Sequence, residues 1–133
     1  MNAPKMPRTG NVTLLLNEIG HALDRFTATG EPTVIDLGNI PLAPEEMDEI
    51  EAALGRGEVE ARLTAQGESE IRETSYPGVW RVTHMNEAGA PMARYVEITD
   101  LPAILAADPG DMRAGRVRLD RQLDILRKME APR

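Results

Sequence analysis

Hydrophobic positions along this chain switch period twice, and the switches divide it into elements. From Asn11, the residues Leu15, Ile19, Ala22 and Phe26 recur at spacings of three and four, with Val12, Leu16 and Leu23 on the flank of the same stripe. That periodicity predicts an amphipathic helix, with Asn11 placed to cap its start and Gly30 to end it. Thr33-Val34-Ile35-Asp36-Leu37 is a short β-branched run between Pro32 and Gly38-Asn39, the pattern of a buried strand. A second, shorter helix is expected from Pro44. Proline suits a first helical position, Glu45 and Glu46 suit the positive end of the helix dipole, and Gly55 stands where a left-handed residue closes the element.

The period then becomes two. Val59, Ala61 and Leu63 alternate with Glu58, Glu60, Arg62 and Thr64, as in a strand with one face on a core and one in water. Residues 69 to 75 read as a more polar strand anchored by Ile71. Residues 79 to 85 and 92 to 99 read as a hairpin across Asn86 to Pro91. A helical turn at 101 to 105 precedes Asp108-Pro109-Gly110-Asp111, a capping sequence for a last helix whose stripe is Met112, Leu119, Leu123 and Leu126. The order is α-β-α-β-β-β-β-α. It predicts an α+β domain, with a mainly antiparallel sheet of four to five strands and helices packed on it. The expected organisation is a disordered lead-in over 1–10, one domain over 11–128 and a flexible tail over 129–133.

Composition narrows the chemistry. A chain of 133 residues is long enough to bury a core without a metal or disulfide. The absence of Cys excludes disulfides, thiolate metal sites and a Cys nucleophile, and two His leave little for an imidazole metal site, so no cofactor and no metal are expected. The formal charge of −7 opposes binding to a phosphate backbone. No apolar run approaches the ~18 residues of a membrane span, and Met1 to Gly10 lacks the apolar core of a signal peptide. A cytoplasmic protein that binds neither nucleic acid nor membrane is expected.

No enzyme template is satisfied. The chain has no phosphate loop, no G-x-S-x-G elbow and no paired His on a helix beside a Glu. A hydrolase-type triad can be written from Ser69 or Ser75 with His84 and one of several Asp, but no spacing requires it. The aromatic residues are more informative: of the chain's four, Tyr76, Trp80 and Tyr95 fall within or just beyond one predicted strand pair. Trp80 is either a core residue or the anchor of an interface, since interface hot spots are enriched in Trp, Tyr and Arg. His84 shares a strand face with Trp80 and Val82 and reads as a core-edge residue, a cross-strand partner or part of a recognition patch. The polarity of residues 69 to 75 suits a sheet edge open to strand addition.

Several stretches together carry a resemblance. They are Thr33 to Leu37 with Pro41-Leu42, Gly55 to Ala61 (Gly-Arg-Gly-Glu-Val-Glu-Ala), Ser69 to Thr74, and Pro77-Gly78-Val79-Trp80 with Val82 and His84. Over roughly residues 11 to 126 the chain resembles the C-terminal conserved region of the HupH/HyaF/HoxQ hydrogenase expression proteins. The resemblance implies a non-catalytic, chaperone-like accessory protein for maturation of nickel–iron uptake hydrogenases. Its implied partner is a hydrogenase subunit precursor, the small subunit favoured, and other maturation proteins are further candidates. Action as a homo-oligomer stays open. The candidate contact surface is Glu70, Arg72, Glu73, Tyr76, Trp80 and His84. The alternatives are a general interaction module that uses the sheet edge, and a small hydrolase.

Overall fold

A computed structural model describes residues 7–65 and 67–132. The elements in order are α1 (Asn11–Thr29), β1 (Thr33–Asp36), α2 (Pro44–Leu54), β2 (Glu60–Thr64), β3 (Glu68–Glu73), β4 (Val79–Met85), β5 (Pro91–Ile98) and α3 (Pro109–Glu130), with 3-10 turns at Leu37–Asn39 and Ala103–Leu105. The α+β class expected from the hydrophobic pattern is the one found. All strand pairs are antiparallel, in the order β1-β5-β4-β3-β2. Strands β2 to β5 form a meander, and β1 adds to its far edge beside β5. Helix α2 and its flanking loops therefore carry the chain from one edge of the sheet to the other.

Two compact units divide the chain after Asp100. In the first, the register sets Val79 opposite Ile98 and Ile35 opposite Val96 on one face of the sheet. Against them pack Leu15, Ile19 and Ala22 of α1 and Ile50 and Leu54 of α2, with Leu37 closing the end. Period-2 alternation puts Ile71, Trp80 and Val82 on the opposite face, where all three are also buried. The second unit holds the turn at Ala103–Leu105 and α3. Asp108 caps α3 by accepting from Gly110 N and Asp111 N, as the sequence indicates. This helix buries none of its residues.

Three details depart from the expectations. Gly10, at φ 79°, occupies the N-cap position of α1, while the Asn11 side chain donates to Pro41 O at 2.8 Å. Strand β3 lies between β2 and β4, so residues 69 to 73 form no edge; the sheet edges are β1 and β2. Glu46 stands in the first turn of α2 as expected, but it is fully buried, which the sequence did not indicate. Its carboxylate accepts from Ala43 N at 3.0 Å, half of a capping box, and from Thr9 N at 3.0 Å, Thr9 Oγ1 and Gly10 N. Arg8 pairs with Glu49 beside it. The described end of the expected lead-in is thus clasped to α2, and residues 1–6 lie outside the described residues. At the other end α3 continues through Met129 and Glu130.

Candidate functional site

The segment from Ser69 to His84 is built by β3, a turn and β4, and strand alternation splits its candidate residues between two faces. Glu70 and Arg72 point to the side that carries α1 and α2, beyond the apolar core. There they join a lattice of ion pairs across β2 and β3: Arg62 to Glu68 at 3.3 Å, Arg62 to Glu70 at 3.7 Å, Arg72 to Glu70 at 3.3 Å and Arg72 to Glu60 at 3.8 Å. This lattice is the reason an interior strand tolerates so polar a sequence. Each charge has an opposite partner one strand away, at partly solvated positions where the pairing costs little.

Glu73, Trp80 and His84 lie on the other face. Trp80 is 5% exposed, and its indole N–H donates to Thr99 O at 3.1 Å, which makes it a core residue and removes it as an exposed anchor. Glu73 is committed locally: its carboxylate accepts from Glu58 N at 2.9 Å, and its carbonyl accepts from Gly57 N at 2.9 Å. Those bonds bring the Gly55-Arg56-Gly57 loop against β3, so close that a Cβ on Gly57 would lie 2.5 Å from Thr74 O. Tyr76 sits in the turn between β3 and β4 and is 51% exposed. The turn is held by Thr74, whose hydroxyl donates to Val79 O at 2.8 Å and accepts from Tyr76 N at 3.1 Å, and by Gly78 at φ 89°. A further bond from Ser75 N to Leu54 O, 2.8 Å, fixes the turn to the end of α2.

His84 forms the one hydroxyl–imidazole pair of the triad written from the sequence. Ser69 Oγ is 2.7 Å from His84 Nδ1 as a directly opposed cross-strand pair, whereas Ser75 Oγ is directed to Arg56 O. The imidazole also meets Tyr95 edge to face, with centroids 5.8 Å apart. Burial pushes the Glu97 carboxyl above its ordinary range, and the charge of His84 opposes that shift. Neither Ser69 nor His84 lines any of the four best-formed cavities, and no carboxylate hydrogen bond to His84 is found among the described residues. The geometry is that of a polar cross-strand pair on a sheet face. No group of His, Asp or Glu among the described residues is arranged to hold a metal ion, and no helix there is long and apolar enough to cross a membrane.

Sequence reasoning missed the concave surface beside Tyr76. Leu16, Ile19, Gly20 and Leu23 of α1, Ala53 and Leu54 of α2, and Tyr76 line an apolar groove of about 280 Å³. The signal was present as Gly20, a residue that weakens a helix interior and here opens space on the apolar side. A Cβ on Gly20 would meet no atom within 4 Å.

Comparison with known proteins gives consistent matches. The family model described as "HupH hydrogenase expression protein, C-terminal conserved region" matches residues 9–126. The hydrogenase expression/formation protein HoxQ of Cupriavidus necator is 33% identical over 91 residues, 68% of this chain and 32% of that protein. HupH of Rhizobium leguminosarum bv. viciae is 28% identical over 109 residues, 82% of this chain and 39% of that protein. The solved structure of the hydrogenase expression protein HupH from Thiobacillus denitrificans superposes with a TM-score of 0.84 at 36% identity, covering 89% of this chain and 98% of that one. The chain spans about a third of the length of the curated relatives it matches.

Proposed function

The chain belongs to the family of the HupH hydrogenase expression protein C-terminal conserved region, and on that premise we propose that it is a non-catalytic, chaperone-like accessory protein that binds the precursor of a nickel–iron hydrogenase subunit, the small subunit in preference to the large. The observation that carries this reading is the groove between α1 and α2, with the half-exposed Tyr76 in its wall. A concave surface lined by apolar side chains with a half-exposed tyrosine in its wall suits an extended apolar segment of a partner protein. Support for the non-catalytic part comes from the Ser69–His84 pair, which has no carboxylate hydrogen bond to His84 among the described residues and lines none of the four best-formed cavities.

The test is capture of separately tagged small-subunit and large-subunit precursors by the purified chain. Three baits are compared: the native chain, Tyr76→Ala and Gly20→Leu, each checked for folding by circular dichroism. Gly20→Leu fills the groove from a helix position with open space and improved helix propensity. Capture of the small-subunit precursor by the native chain, reduced by both substitutions, is the expected outcome. Capture of neither precursor, or capture indifferent to both substitutions, overturns the proposal.

A further inference from the structure

Arg94 differs from the other arginines of the sheet. Arg62 and Arg72 are held in the β2–β3 lattice, and Arg81 donates to Glu51 at 2.9 Å. Arg94 lies on the same face, on β5 opposite Thr83, half-buried and with no ion pair or hydrogen bond among the described residues. It is not an orphan sealed in the core, because every buried side-chain polar atom described has a partner. Arg94 instead lines an open cleft of about 570 Å³, whose other walls include Asp36, Gly38, Asn39, Met47 and Met92. A partly desolvated guanidinium with no internal acceptor, at the side of a cleft of ligand size, is a recognition element for a planar anion.

The walls narrow the kind of anion. Asp36 uses Oδ1 to accept from Gly38 N at 2.8 Å and adds a negative charge to the cleft, which opposes a ligand bearing more than one. Glu51, the acid near Arg81, is already engaged. Met47 and the exposed Met92 supply flexible apolar surface that adapts to an aliphatic group. We propose that this cleft binds a monoanionic carboxylate attached to an apolar group, with Arg94 taking the carboxylate in a fork and Met47 and Met92 covering the apolar part. The C-terminal residue of a partner protein and a free small carboxylate share that chemistry. The cleft has no lining residue in common with the α1–α2 groove, so this proposal and the precursor-binding reading fail separately.

The experiment is a titration of the isotope-labelled full chain followed by two-dimensional NMR. The probes are N-acetyl-leucine, N-acetyl-leucinamide, a hexapeptide ending in Leu with a free carboxylate, and inorganic phosphate. N-acetyl-leucine is expected to move the backbone signals of Gly38, Asn39 and Met92. The amide should bind at least about tenfold more weakly, because it cannot form the charge-assisted pair. Phosphate should bind more weakly than the acid. Arg94→Gln should abolish the preference for acid over amide while leaving the remaining spectrum in place. Tighter binding of the hexapeptide than of N-acetyl-leucine identifies a protein C-terminus as the source, and equal binding identifies a small carboxylate. Equal response to acid and amide, no response at those residues, or acid preference that survives in Arg94→Gln overturns the proposal. The acid-to-amide comparison on the native chain decides the matter even if the variant does not fold.

Discussion

Replacing Trp80 by Ala tests the assignment of the aromatic cluster directly. The ring is 5% exposed, faces Val82 and Ile71 on the sheet surface opposite α1 and α2, and donates its N–H to Thr99 O at 3.1 Å. Removing a buried Trp side chain costs about 3 to 5 kcal/mol, made of lost transfer energy and the cavity left behind. A domain of this class is stable by only about 5 to 15 kcal/mol, so the substitution should consume between about a fifth and all of the total. Trp80→Phe keeps most of the ring and loses the hydrogen bond, worth about 1 kcal/mol, plus a small volume, so it should fall well short of the Ala variant. Equilibrium urea denaturation followed by circular dichroism measures all three proteins on one signal. Because Trp80 is the chain's sole Trp, its fluorescence reports the same site independently in the native protein. A cost below about 1 kcal/mol for Trp80→Ala refutes the core assignment and returns Trp80 to the list of interface candidates. So does native emission no bluer than that of free tryptophan in water.

Two further outcomes follow from the clasp and the loop. Hydrogen bonds from Ala43 N and then Thr9 N hold the Glu46 carboxyl below its ordinary range. A carboxyl with a lowered folded pKa contributes stability that is full above its unfolded value and is lost as pH falls through the folded value. Urea midpoints measured from about pH 7 to about pH 3 should therefore decline less steeply in Glu46→Gln than in the native chain, and identical pH profiles would remove the clasp as a source of acid sensitivity. Gly57→Ala places a Cβ 2.5 Å from Thr74 O, against backbone that Glu73 and Ser75 hold in place. Thermal denaturation should show a loss of about 1 to 3 kcal/mol, whereas Gly20→Ala, which meets open space, should be neutral or stabilising.

The local elements were legible because they rest on local physics. The stripe of α1, the proline start of α2 and the Asp108 cap of α3 each depend on residues within a turn or two of one another, and all three stand where the periodicity put them. Short-range signals were less decisive where two competed: Asn11 is a good capping residue, but its amide is drawn to Pro41 O across the molecule, and Gly10 takes the cap. Of the candidate site, the concentration of chemistry between Ser69 and His84 was visible. The division of Glu70 and Arg72 from Glu73, Trp80 and His84 follows from strand period, but which side meets the helices does not. The Ser69–His84 pairing depends on register across two strands, and no spacing along the chain encodes it alone.

The sequence by itself determined the class of the fold, the element order, and the exclusion of thiolate chemistry, because periodicity and residue type act without reference to distant partners. Tertiary structure decided the rest. It placed β3 inside the sheet, where neighbours neutralise its charges, buried Glu46 under the chain ahead of α1, and put Trp80 in the core. It also opened the groove at Gly20 and left Arg94 facing a cleft with no internal partner. Each of these is a statement about which groups far apart in sequence share the same desolvated space. Burial and pairing energies are set there, by the neighbours that folding supplies.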